Sequence, residues 1–212
     1  LYTLIGDRPK ALSASVKAAS ACLDRGDFTG ATRFARQALK LLSRCDVAAD
    51  EKVRVLTAVG DVLRRTRLSE EALTCYRRAL RICSDKTSAS VLRRIGLTYE
   101  AKGDHSKAFT YYRRAHRQAR VCEQDDLAIE IKNDLAWINM RLGRHTRARA
   151  LAQEVIEHLK GSSEYAQLGQ AYSTLGVSAW NTSHWHEAVT YHKQALDARK
   201  KAGDLGLSLI HI

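Results

Sequence analysis

The sequence predicts an all-α protein, built as a solenoid of about five helix-turn-helix repeats. Apolar residues recur at positions i, i+3, i+4 and i+7 in segments such as VRVLTAVGDVL and SVLRRIGLTYE, which is the spacing of one helix face. Helix breakers are rare, with one proline and twelve glycines among 212 residues. Five segments also resemble one another, and repetition of a short unit along the chain is typical of a solenoid.

The five similar segments share the positions of two small residues. The segments begin at Gly26, Arg67, Gly103, Gly143 and Ser183. The sixth residue of each is an alanine: Ala31, Ala72, Ala108, Ala148 and Ala188. Seven residues further on comes a second small apolar residue: Ala38, Ala79, Ala115, Val155 and Ala195. We expect each segment to form the second helix of a pair, with these residues on its packed face.

A third small residue lies twelve positions before each first alanine, within an apolar helical segment. These residues are Ala19, Gly60, Gly96, Ala136 and Gly176. Two helices approach closely where both present almost no side chain at the crossing. The pattern therefore predicts a first helix that packs antiparallel on the second, with a short polar turn such as AKGDHS between them.

The third repeat combines small, aromatic and turn residues in one order: Gly96, Tyr99, Gly103, Asp104, Ala108, Tyr112 and Ala115. This pattern resembles the tetratricopeptide repeat, and the resemblance extends over about residues 12 to 203. It implies a right-handed superhelical solenoid. Two features depart from the family: the first alanines are 36 to 41 residues apart instead of about 34, and no repeat ends in proline.

The longer period resembles the tetratricopeptide arrays at the C-terminal ends of bacterial STAND-type signalling ATPases and of related kinases and transcription activators. It also resembles adaptors of cell polarity. We expect residues 1–11 to be a truncated N-terminal extension and residues 204–212 to begin a further, truncated helix. The five repeats between them are expected at residues 12–48, 53–86, 89–124, 127–161 and 164–203.

Positive charge is concentrated in the middle of the chain. The formal net charge is +12, and residues 53–121 alone carry 16 Lys or Arg against 6 Asp or Glu. This asymmetry predicts an acidic partner for the central repeats. A solvated basic face without any partner is the commoner cause of such a run.

The five cysteines indicate neither a disulfide framework nor a zinc ribbon. Their number is odd and no two stand in C-x-x-C spacing, so we expect reduced cysteines in a cytoplasmic protein, with Cys22 and Cys75 on apolar helix faces. No apolar run reaches 18 residues, and LYTLIGDRPK lacks the features of a signal peptide. The sequence therefore predicts no membrane span.

The segment HWHEAVTYHKQAL, residues 184 to 196, raises the question of a metal site. A zinc-protease helix needs H-E-x-x-H, but Thr190 stands where the second histidine is required. His192 instead occupies the aromatic packing position that Tyr76 and Tyr112 hold in other repeats. Phosphate-binding loops and nucleophile elbows are also missing from the sequence. We predict no metal, no cofactor and no enzymatic activity.

The resemblance to tetratricopeptide repeats implies a peptide-binding groove on the first helices, at positions that flank the small residue. In this chain we expect the groove to include Arg54, Arg64, Arg65, Arg93, Arg94, Asn133, Trp137, Arg141, Trp180 and Asn181. Arginines bind carboxylates and tryptophans anchor apolar side chains, so a peptide would meet a cationic end and an aromatic end. The alternative is that both tryptophans belong to the core between repeats and that the arginines only increase solubility.

These observations predict a non-catalytic protein–protein interaction scaffold, as the sensor or regulatory region of a larger signalling or transcription-regulating protein. The expected partner is a peptide or protein segment, with acidic character favoured, or another domain of the same chain. The alternatives are a stand-alone adaptor and a basic solenoid that binds nucleic acid. Tyr76, Tyr99 and Tyr112 argue against nucleic acid, because residues in packing positions are poorly placed to stack on bases.

Overall fold

The computed structural model describes residues 8–203, and these residues form ten α-helices. In chain order the helices are α1 Arg8–Asp24, α2 Phe28–Leu42, α3 Ala49–Arg65, α4 Ser69–Ile82, α5 Asp85–Ala101, α6 His105–Val121, α7 Asp125–Arg141, α8 His145–His158, α9 Tyr165–Asn181 and α10 Trp185–Lys201. None of these ten is long and apolar enough to cross a membrane. The predictions for residues 1–7 and 204–212 lie outside the described residues, and the repeat boundaries stay a prediction.

The helices belong to two compact units, one with α1 to α5 and the other with α6 to α10. In the first unit α1 packs on α2 and α3 packs on α4, while in the second α7 packs on α8 and α9 packs on α10. First helices also contact one another within a unit, since α3 touches α1 and α5, and α7 touches α9. These contacts confirm the predicted all-α fold of about five helix-turn-helix repeats.

The first residue of every aligned segment adopts the left-handed backbone conformation. The φ angles are 77° at Gly26, 66° at Arg67, 79° at Gly103, 73° at Gly143 and 62° at Ser183. A left-handed residue just past a helix reverses the chain while its N–H bonds back to the last turn. Arg67 and Ser183 adopt this conformation at a cost of about 1–2 kcal/mol that glycine avoids. The aligned segments therefore share one turn geometry despite different residues.

The aligned small residues face the interior of each helix pair. All five first alanines are 0% exposed: Ala31, Ala72, Ala108, Ala148 and Ala188. A Cβ atom added to Gly60 would lie 2.5 Å from Cε1 of Tyr76, and one added to Gly176 would lie 2.8 Å from the ring of His192. In these two pairs the glycine makes room for an aromatic ring of the second helix, and not for a second small residue as the register predicted.

Three tyrosines predicted to pack between helices are buried, as Tyr76 and Tyr112 are 0% exposed and Tyr99 is 7% exposed. His192 holds the equivalent position on α10 and touches Gly176, but its side chain is exposed. The tyrosine rings are therefore unavailable for stacking on a ligand, in agreement with the prediction.

The burial of Cys75 is expected to slow alkylation of its thiol. Cys75 is 2% exposed, and burial raises the pKa of its thiol to about 11, although the positive charge of Arg78 opposes the shift. Because the thiolate is the reactive form, we expect Cys75 to react with iodoacetamide near pH 8 at least ~100-fold more slowly than the partly exposed Cys45. Mass spectrometry of a labelling time course measures both rates. Equal rates in the folded protein would contradict the prediction, and concentrated urea should make the rates converge.

Candidate functional site

The first helices expose the same register positions in four repeats. The residue after the small residue is partly exposed in α3, α5, α7 and α9: Asp61, Leu97, Trp137 and Val177. The residue one turn later is exposed in the same four helices: Arg65, Ala101, Arg141 and Asn181. Each unit has its own groove face: Asp61, Arg65, Leu97 and Ala101 in the first unit, and Trp137, Arg141, Val177 and Asn181 in the second. The residue two positions after the small residue is buried in all four helices: Val62, Thr98, Ile138 and Ser178. Helix geometry therefore separates the groove face from the core.

In the first unit, side chains from α3, α4 and α5 meet at Asp61. Tyr76 Oη donates a hydrogen bond to Asp61 Oδ1 at 2.7 Å, and Arg94 Nε donates to Oδ2 at 3.0 Å. Burial, followed by the nearby Asp61 carboxylate, raises the pKa of the Tyr76 hydroxyl, while Arg64 opposes the shift. Tyr76 therefore stays a hydrogen-bond donor, and Arg94 has an acidic partner within its own unit.

Two further arginines predicted in the groove are also paired with acids. Arg54 contacts Glu51 on α3, and Arg65 Nη1 lies 3.7 Å from Asp24 Oδ1 at the end of α1. Arg93 is half-buried on α5. Exposed ion pairs contribute only about 0–1 kcal/mol each, so a carboxylate of a partner can replace the internal acid at little cost. The predicted cationic surface is thus partly neutralised in the free protein.

In the second unit, Asn133 is placed differently from the prediction. It is 1% exposed, and its Nδ2 donates to the main-chain oxygen of Gln167 on α9 at 2.8 Å. Its neighbour Asp134 is 4% exposed and accepts a hydrogen bond from Gln170 Nε2 at 3.4 Å. Asn133 therefore joins α7 to α9 instead of lining an open surface, because its side of α7 faces the next first helix.

Gln167 and Gln170 are site neighbours that the sequence did not identify. They stand one turn apart on α9 and face the polar pair on α7. The sequence does show two polar residues on α9 at this spacing. Matching them to Asn133 and Asp134 requires knowledge of how α7 and α9 are aligned, which the sequence does not give.

The predicted aromatic residues remain accessible to different degrees. Trp137 is partly exposed on α7, and Arg141 follows one turn later and is exposed. Trp180 is 58% exposed and packs edge-to-face on Trp185, with ring centroids 4.7 Å apart. The alternative that both tryptophans belong to the core therefore fails for Trp180. Asn181, beside it, is exposed.

The histidine-rich turn before α10 provides no converging ligand set. His184 Nδ1 lies 2.9 Å from Thr182 Oγ1, and His186 is exposed. Within residues 8–203, no three His, Cys, Asp or Glu side chains come together in a way that would hold a metal ion.

Comparison with known proteins identifies the repeat. The family model of the tetratricopeptide repeat matches residues 51–120, 87–161 and 126–201. No curated protein matches the chain.

Several solved structures have the same fold. BtubC (BKLC) from P. vanneervenii is 17% identical, with a TM-score of 0.71 over 94% of this chain and 91% of that chain. Aspartyl phosphate phosphatase F from Bacillus subtilis is 15% identical, with a TM-score of 0.80 over 92% of this chain and 52% of that chain. The Rap conjugation gene regulator of plasmid pLS20, in complex with the Phr* peptide, is 16% identical, with a TM-score of 0.74 over 96% and 57%. The chain spans about half the length of the last two proteins.

Proposed function

The chain belongs to the tetratricopeptide repeat family, and from this membership we propose that it is a non-catalytic module that binds a peptide or protein segment on the groove face of its second unit. We place it in the cytoplasm, as the sensor or regulatory region of a larger signalling or transcription-regulating protein. The period of 36 to 41 residues supports that placement, because it resembles the arrays of STAND-type ATPases and related kinases and activators.

The accessibility of Trp137 is the observation that carries the proposal. Its neighbours Ala136 and Ile138 are both 0% exposed, whereas the indole of Trp137 keeps part of its surface open. Val177 holds the same register on α9, which packs against α7. An aromatic ring on a rigid helix loses little conformational freedom on binding and is the residue type most enriched at binding hot spots.

An acidic segment is the favoured partner. The exposed guanidinium of Arg141 lies one turn from Trp137, and it forms no ion pair with any residue between 8 and 203. A partner segment with a carboxylate next to an apolar side chain could contact Arg141 and Trp137 together. The solved structure of the Rap regulator contains a peptide, which supports peptide binding for this fold without identifying the ligand of this chain.

We expect Trp137→Ala to weaken peptide binding by about 30-fold or more, which corresponds to a loss of about 2 kcal/mol. The probes are peptides selected by the full 212-residue chain from a random library displayed on phage, and fluorescence anisotropy measures their affinity. Arg141→Glu should weaken the same peptides if they are acidic, and this exposed residue can change without loss of folding.

Phe28→Ala is the matched control, because Phe28 is an aromatic residue that is 57% exposed on α2, outside the groove face. It should change the affinity less than twofold. A failure to select any peptide, or equal losses in the Phe28 and Trp137 variants, would refute the proposed function.

A further inference from the structure

Helix α6 presents a surface that the groove face does not use. Its 17 residues contain one lysine and four arginines but no Asp or Glu. Arg113, Arg114 and Arg117 are exposed, whereas Ala108 and Tyr112 on the opposite side are 0% exposed. The solvent face of this second helix is therefore uniformly positive.

The three exposed arginines have no acidic partner in the part of the chain that the structure describes. Arg120, at the end of the helix, pairs with Asp125 at 3.1 Å. Arg113, Arg114 and Arg117 form no ion pair with any of residues 8–203. This differs from the arginines predicted in the groove, of which three are paired, so α6 carries part of the uncompensated charge of the central region.

Two of these side chains are held against aromatic rings. The Arg113 guanidinium lies 5.7 Å from the centroid of Phe109, and that of Arg114 lies 5.4 Å from the centroid of Tyr111. Arg144, just before α8, lies 4.8 Å from the same Phe109 ring. Contact of a guanidinium with the face of a ring leaves N–H donors of the guanidinium available for oxyanions. It also restricts the side chain before binding, which lowers the entropy lost on contact.

The spacing suits a row of anions. Arg113 and Arg117 are four residues apart, so they project from one side of the helix about 6 Å apart along its axis. We propose that the solvent face of α6 is a second binding surface, which takes the phosphate backbone of a nucleic acid without reading its base sequence.

Composition favours nucleic acid over an acidic protein as the occupant. Val121, 70% exposed, is the one large apolar side chain that α6 leaves exposed in the described part of the chain. Protein interfaces gain their energy from an apolar centre from which charges are depleted, and this face offers none. Phosphate binding gains its energy from the release of counterions and needs no apolar contact. Because Tyr112 is buried and Tyr111 lies against Arg114, base stacking is not available and sequence is not read.

The test measures binding of the full chain to a fluorescein-labelled DNA duplex of about 24 base pairs by anisotropy at several salt concentrations. Three phosphate contacts predict a slope of log K against log salt of about −2.7, hence a ~40-fold loss between about 50 and 200 mM salt. R113Q/R114Q/R117Q should remove most of that slope and weaken binding at least ~10-fold at the lowest salt. A duplex of unrelated sequence should bind the wild type within about threefold.

R33Q/R78Q/R81Q is the matched control, since it removes the same charge from exposed arginines of α2 and α4. It should change affinity less than about threefold, and W137A should leave DNA binding unchanged. R113K/R114K/R117K should keep the salt slope, which excludes misfolding as the cause of the loss. No binding by the wild type at the lowest salt, or equal losses in both glutamine variants, would overturn the proposal. So would stronger binding of poly-glutamate than of DNA at equal charge.

Discussion

Replacing Tyr76 with alanine is expected to lower the free energy of unfolding by about 3–5 kcal/mol. The side chain is 0% exposed, its ring fills the space beside Gly60, and its hydroxyl donates to Asp61. Alanine would leave a cavity beside Gly60 between α3 and α4, and the surrounding helices can relax only in part. Urea unfolding followed by circular dichroism at 222 nm measures the loss.

Two variants separate the contributions of ring and hydroxyl. Tyr76→Phe keeps the ring and should cost only about 1 kcal/mol, because Asp61 is one-third exposed and water can replace the lost donor. Tyr191→Ala removes a partly exposed tyrosine of α10 and should cost no more than about 1 kcal/mol. If Tyr76→Ala and Tyr191→Ala destabilised the protein equally, the packing role of Tyr76 would be wrong.

The second large effect is a contrast between two glycine-to-alanine substitutions. We expect Gly60→Ala to lower the free energy of unfolding by about 1–3 kcal/mol, because the added Cβ would lie 2.5 Å from a buried and rigid ring. We expect Gly169→Ala on α9 to be neutral or to stabilise by up to about 1 kcal/mol. Its Cβ would meet Cγ of Arg199 at 3.1 Å, and that flexible side chain can move aside.

A double-mutant cycle identifies the cause of the Gly60 effect. In the Tyr76→Ala background the ring is absent, so Gly60→Ala should become neutral or stabilising, as alanine favours helix more than glycine does. The same urea titration measures all four proteins. An unchanged penalty for Gly60→Ala in that background would show that the ring is not what excludes the Cβ.

The candidate site was predictable where it depends on helix periodicity. Trp137 and Arg141 stand one and five residues after Ala136, so a period of 3.6 residues places both on one side of α7, where both keep exposed surface. Asn133 was not predictable, because its burial depends on how far α9 approaches α7. The partners of Arg65 and Arg94 are 41 and 33 residues away along the chain, at Asp24 and Asp61. No local pattern indicates such pairs.

The repeating unit of this protein is encoded locally, in short stretches of its sequence. Small residues in register, a short polar turn and an apolar helix face depend only on local backbone geometry and steric fit, and both are encoded within about 40 residues. Which charges stay available depends on helix packing: Arg113, Arg114 and Arg117 on α6 form no ion pair within residues 8–203, whereas Arg65 and Arg94 meet acids from neighbouring helices. The physical reason is that electrostatic pairing depends on distances of a few ångströms between segments far apart in sequence, and packing alone sets those distances.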